Sequence, residues 1–289
     1  MGIRRICGHF SIDIRCGVDD TAGKKRGDCF STPLTETWNR QNNQRNRTEI
    51  ILSNYSSAAE AQQGVVMSSG STSRWWSRLL TGDGLRKTRL HTYSGHRIDI
   101  GGLAYLPRSL WSIAILKIFG YHQLVPWLGY RAVRHLDGLI RPDWRVLEFG
   151  SGMSSLFFAR RCDRLISVES DPSWYTQMGR LFTRLGIANV DYRLREADDY
   201  AEHPDLPDQS FDLVVVDGLA RDRVSAVALR KVKPGGYVFL DNSDVPWPDH
   251  KSARQLLSDA AAPDGVRVFN DLYPFQLQVN ESIVVKVRG

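Results

Sequence analysis

What most constrains this chain is a change of hydrophobic period at residue 145. From there, short β-rich runs at 145–149, 165–169, 190–194, 211–216 and 237–240 alternate with helix-length stretches. Parallel neighbours need a crossover of a dozen or more residues, and the intervening segments have that length. The alternation therefore predicts βαβ units and a doubly wound, mostly parallel α/β sheet. Runs at 266–269 and 282–287 predict a closing pair, bringing the sheet to seven strands.

Upstream the pattern differs. From Leu103 the sequence becomes apolar with a helical period, and Pro126 is suited to open a helix running to about Ile140, with Trp127, Tyr130, Val133, Leu136 and Ile140 on one face. Residues 1–84 have no sustained period and are dense in Asn, Gln, Ser, Thr, Gly and Arg. Such a segment cannot bury enough apolar surface to offset its ordering entropy, so disorder is expected. A second expectation is that 1–66 is not native, because Met67 precedes Ser68-Ser69-Gly70-Ser71 and Gln63-Gly64 must be encoded by a ribosome-binding-like CAR-GGN. The early Cys7, His9, Cys16 and Cys29 lack the tight paired spacing of a zinc knuckle. The expected organisation is thus an extension at 1–84, a helical segment at 85–140 and a Rossmann-like body at 141–289.

Charge and cysteine narrow the function classes. Residues 1–90 hold 14 Lys/Arg against 8 Asp/Glu, while residues 91–289 hold 24 of each. A neutral body has no broad field for steering nucleic acid, so no nucleic-acid partner is expected. The absence of CxxC pairs, the lone Cys162 in the body, the lack of an apolar leader and of a membrane-length apolar run together predict a cytoplasmic protein. Cys162 has no evident base or cationic neighbour and is read as an inert thiol.

The strongest local signal is Val146-Leu147-Glu148-Phe149-Gly150-Ser151-Gly152-Met153-Ser154-Ser155, a strand turning into a helix. Gly150 and Gly152 let the backbone turn sharply and approach a ligand, and Ser154 or Ser155 can cap the following helix. Glu169 ends the next strand about twenty residues on, where an acid accepts ribose hydroxyls in nucleoside sites. Asp171-Pro172 reads as an N-cap followed by proline at the first helical position.

With these residues in order, the chain resembles the class I S-adenosylmethionine-dependent methyltransferases over roughly residues 120–289. The resemblance implies a seven-stranded Rossmann-like sheet and S-adenosylmethionine as cofactor. It also implies roles for Glu148 near the amino-acid end, for Gly150 and Gly152 in the turn, for Glu169 on the ribose and for Asp198 beside the adenine. Phe211-Asp212-Leu213-Val214-Val215-Val216-Asp217-Gly218 matches the fourth-strand motif and Val232-Lys233-Pro234-Gly235-Gly236 the turn before the fifth; Ser154 replaces a third glycine found in many members.

Asp217 ends the fourth strand and Asp241-Asn242 the fifth, and in a doubly wound sheet these ends are neighbours. Two carboxylates and an amide oxygen are hard ligands, so Asp217, Asp241 and Asn242 form a candidate Mg2+ site resembling that of catechol-type and some sugar O-methyltransferases. Strand-end acids that cap helices or shape turns are the competing explanation. Asp217, Asp241 and His250 are the candidate catalytic groups, with Asp244 as another base. The expected acceptor is a small-molecule or saccharide hydroxyl, bordered by residues 103–130 and 243–250. A hydride-transferring enzyme would normally carry a further catalytic domain. Gly218-Leu219-Ala220-Arg221 lacks both the acidic segment of an aminopropyltransferase and the Asn/Asp-Pro-Pro-aromatic segment of base methyltransferases. A non-catalytic cofactor- or partner-binding protein stays open as the alternative.

Overall fold

The computed structural model describes residues 84–120 and 123–289. Two helices, α1 (Ile100–Leu103) and α2 (Leu106–Phe119), precede α3 (Tyr130–Leu139). The body follows as β1 (Arg145–Phe149), α4 (Met153–Ala159), β2 (Arg164–Glu169), α5 (Pro172–Arg184), β3 (Val190–Leu194), β4 (Phe211–Val216), α6 (Arg221–Lys231), β5 (Val232–Leu240), α7 (Pro248–Asp259), β6 (Ala261–Leu272) and β7 (Val279–Val287). The residues expected to form a disordered or non-native extension, and the cysteines and histidine within it, lie outside the described residues apart from Gly84.

The seven strands form one sheet in the order β3-β2-β1-β4-β5-β7-β6. The first five are mutually parallel, and β7 runs antiparallel between β5 and β6. Both faces are covered, which explains why the central strands read as unbroken apolar runs. Leu147, Phe149, Val214, Val216, Val238 and Leu240 point to one face and pack with Val224 and Ala228 of α6 and Leu257 of α7. Val146, Leu213, Val215 and Phe239 point to the other, against Leu136 of α3 and Phe158 of α4.

Two local features differ from the sequence expectation. Helix α3 starts at Tyr130, after Gly129, instead of at Pro126. Its first turn is fixed from a distance: Asp271 accepts from the Arg131 and Ala132 amides at 2.8 and 3.0 Å and binds the Arg131 guanidinium as well. The closing strands are also longer than their β-rich cores, because antiparallel pairing extends β6 and β7 into a ladder from Ala261 to Leu272. Asp171 does cap α5, accepting from the Trp174 amide at 2.8 Å. Cys162 is buried, and burial pushes its thiol up to about 12. Among the described residues no helix is long and apolar enough to cross a membrane.

Candidate active site

Register lines up the chemistry. Val168, Phe149, Val216 and Leu240 pair across β2, β1, β4 and β5. The next residue of each strand is therefore Glu169, Gly150, Asp217 and Asp241, a single row along the carboxyl edge. Gly150 donates its amide to Val168 O, Asp217 to Phe149 O and Asp241 to Val216 O, so the row continues the ladder. The strand order reverses between β1 and β4, the place where open α/β sheets bind ligands.

Gly150 is obligatory on two counts. Its φ is +95°, and a Cβ there would lie 2.8 Å from the backbone of Asp217 and Gly218. Beneath the turn, Glu148 is fully buried. It accepts hydroxyl hydrogen bonds from Ser154 at 2.7 Å, Ser155 at 2.5 Å and Ser167 at 2.7 Å. Burial raises its carboxyl to about 7 despite these donors. Glu148 is thus engaged by a cradle of three serine hydroxyls next to the turn. Ser155 also accepts from the Gly152 amide at 3.0 Å and so caps α4 as expected.

Glu169 faces the turn from β2. One carboxylate oxygen accepts from the Ser151 amide and hydroxyl at 3.2 and 2.7 Å, and the other from the Ser170 and Asp171 amides at 2.7 and 2.9 Å. Trp174 donates its indole N–H to Ser151 O at 2.9 Å, and Trp127 lies 6.2 Å from the Trp174 ring and 6.1 Å from Phe275. Tyr175 stacks on Tyr192 at 4.4 Å, a packing role. Asp198 is exposed in the loop after β3.

The second half of the row is a buried ionic network. Arg221, at the start of α6, is held by the ends of both β4 and β5: it donates to Asp217 Oδ1 at 3.1 Å, to the Gly218 carbonyl at 3.3 Å and to the Asp241 carbonyl. Asp241 accepts from the Tyr273 hydroxyl at 2.5 Å and from the Asn242 side-chain amide at 2.7 Å. Asp217 and Asp241, side by side at the ends of adjacent strands, lie close enough to influence one another's ionisation. Burial, and then the charge of Asp241, holds Asp217 well above the usual carboxylate range, with Arg221 opposing. Burial raises Asp241 too, against Arg221 and Tyr273. Asp217 is the open member, with a quarter of its side chain accessible, compared with 8% for that of Arg221.

These residues do not fit a divalent ion as arranged. Asn242 turns its amide N–H, not its carbonyl, toward Asp241, and the Arg221 guanidinium already supplies the positive charge between the strand ends. Among the described residues no group of three or more His, Cys, Asp or Glu could hold a metal. His250 lies in the first turn of α7, buried, with Nδ1 3.0 Å from Asp249, which orients the ring. Burial, then Arg221, lowers its pKa and favours neutral imidazole. Asp244 accepts from the Ser94 amide at 3.2 Å. Sequence reasoning missed Ser167 and Tyr273, which are distant in the chain, and Arg221, whose pairing with Asp217 spans a strand end and a helix start that no single periodicity relates.

A doubly wound sheet with a glycine turn at its switch point and acids on the adjacent strand ends defines a nucleoside-cofactor-binding α/β protein. Residues 147–243 match the family model described as a methyltransferase domain. That match and the sheet order above support the class I S-adenosylmethionine-dependent methyltransferase superfamily for this region of the chain. No curated protein matches it. Similar solved structures include the O-methyltransferase TomG from Streptomyces achromogenes, involved in tomaymycin synthesis, at 22% identity, covering 62% of this chain and 89% of that one with a TM-score of 0.45. An O-methyltransferase from Thermotoga maritima is 14% identical, covering 62% and 71% with a TM-score of 0.45. The tRNA (m1A58) methyltransferase TrmI from Aquifex aeolicus is 12% identical, covering 62% and 76% with a TM-score of 0.47.

Proposed function

We propose that this chain transfers a methyl group to a hydroxyl oxygen of a small-molecule or saccharide acceptor, with the Asp217–Asp241 pair receiving the hydroxyl proton. In this reading residues 141–289 hold S-adenosylmethionine: Gly150 and Gly152 admit it to the turn, Glu169 meets its ribose, Asp198 lies beside its adenine, and Glu148 supports the turn from below. When bound, the cofactor supplies an electrophilic methyl group. Residues 85–140 border the acceptor, a reading supported by Trp127 beside Trp174 and Phe275.

The observation that carries the proposal is the buried pair with one open end. A neutral alcohol is a poor nucleophile near pH 7, so its proton needs an acceptor as the bond forms. Two neighbouring carboxylates in a largely buried setting cannot both ionise readily, so in this reading they hold one proton between them and can take a second. Asp217 meets the acceptor hydroxyl at the accessible end and passes its own proton toward Asp241. Arg221 balances the remaining charge and Tyr273 fixes the Asp241 carboxylate. His250, neutral and oriented by Asp249, is the reserve base. Magnesium has no part in this reading, because Arg221 occupies the cationic role.

The test is labelled-methyl transfer from S-adenosylmethionine into small molecules and saccharides extracted from the source organism, with mass spectrometry of the product. An oxygen-linked methyl group, unaffected by chelation and lost in Asp217→Asn while calorimetry shows cofactor binding retained, is the expected result. A nitrogen- or carbon-linked product, or activity lost to chelator and restored by Mg2+, would refute it.

A further inference from the structure

Helix α2 turns its two serines inward. Its buried side chains are Ser109 and Ser112, at 0% and 2% exposure. Ser109 donates to the Tyr273 carbonyl at 3.2 Å, while Ser112 donates to the Ser109 carbonyl at 2.7 Å and accepts from the Phe275 amide at 2.8 Å. Pro107, Leu110, Trp111, Ala114 and Ile118 recur at spacings of three and four and share one face. Leu110, Trp111 and Ile118 on that face are 47%, 63% and 71% exposed. A surface helix of a globular protein has the reverse orientation, with apolar residues toward the core and polar ones out. At 100° per residue, Arg108 and Lys117 fall on the two margins of the stripe, and both are exposed.

We infer that this outward face of α2 docks on a membrane surface rich in anionic lipid. The argument for lipid is charge. Residues 84–120 expose Lys87, Arg89, Arg97, Arg108 and Lys117, and their one acid, Asp99, is bound by Arg131. An apolar stripe carrying a tryptophan and flanked by cations is the pattern of a helix lying in the headgroup region, its apolar side sunk about 5–10 Å. At about 21 Å, a helix of this length lies along an interface and does not cross it. A second copy of the chain fits less well, since self-pairing would set basic margin against basic margin. One face of such a helix, about 200 Å², is also well below the roughly 800 Å² per partner of a stable interface. Docking would be mechanically joined to the active site, because the loop held by Ser109 begins at Tyr273, which binds Asp241.

The experiment is co-sedimentation of the full chain with phosphatidylcholine vesicles with and without phosphatidylglycerol, comparing wild type with the double variant Trp111→Asp/Ile118→Asp. Both side chains are exposed, so the variant should keep the wild-type melting temperature. Wild type should bind the phosphatidylglycerol vesicles, release them as salt is raised, and partition at least tenfold more strongly than the variant. Lys117→Glu, which leaves the stripe intact, should weaken binding to anionic vesicles severalfold and serves if the double variant melts early. Equal binding by wild type and both variants would assign the attraction to other basic residues and overturn the inference. So would no binding by wild type, or a lipid-free dimer in sedimentation velocity that the double variant converts to monomer.

Discussion

Replacing Glu148 by Gln should remove a pH-dependent penalty from the folded state. The carboxyl is raised from 4.5 to about 7, with burial the largest cause. The folded protein therefore binds this proton more tightly than the unfolded chain does, and the stability it contributes is full below pH 4.5 and is lost as pH rises through 7. The full difference is about 3 kcal/mol, at 1.36 kcal/mol per unit, of which roughly 2 to 3 kcal/mol develops between pH 5 and 8. Gln cannot ionise, yet it can still accept from one serine hydroxyl and donate to another, so the cradle of Ser154, Ser155 and Ser167 stays satisfied. Thermal melts of both proteins across pH 5 to 8.5 make the measurement. Taking the difference between them cancels the like-signed contribution of Asp217 and Asp241. For a domain of this size the Tm of Glu148→Gln relative to wild type should rise by several degrees from pH 5 to 8. A Tm difference that stays constant over that range would show that the buried carboxylate is not paying an ionisation penalty and refute the reasoning.

Glu169→Ala should weaken S-adenosylmethionine binding by more than tenfold in calorimetric titration, since loss of a charged hydrogen-bond acceptor costs on the order of 1.5 to 3 kcal/mol. Unchanged affinity would remove Glu169 from the cofactor site. Asp271→Ala should cost about 2 to 3 kcal/mol in denaturant unfolding, because it leaves the Arg131 and Ala132 amides at the start of α3 without their acceptor and the Arg131 guanidinium with Asp99 as its remaining carboxylate partner. A loss under 1 kcal/mol would mean that α3 is held by its apolar face alone.

The sequence by itself determined the sheet. Strands β1, β3 and β4 coincide with the runs read at 145–149, 190–194 and 211–216, because β-rich apolar segments separated by helix-length crossovers admit few arrangements. The order of the glycine turn, Glu169 and Asp217 was legible for the same reason: each ends a strand, and local pattern locates strand ends. What only the tertiary structure decided lies in contacts between residues far apart in the chain. Asp271 sets the start of α3 from 140 residues away, Ser167 completes the Glu148 cradle from a neighbouring strand, and Tyr273 reaches Asp241 across 32 residues. The same holds for the metal expectation. Asp217, Asp241 and Asn242 are correct ligand types at adjacent strand ends, but ligand type says nothing about which hydrogen-bond partners those atoms already have. That depends on the Arg221 guanidinium settling between β4 and β5, and on the side-chain amide of Asn242 turning its N–H toward Asp241. Burial, which raises the carboxyls of Glu148, Asp217 and Asp241, is likewise a property of the packed sheet and its covering helices, and no local window of sequence contains it.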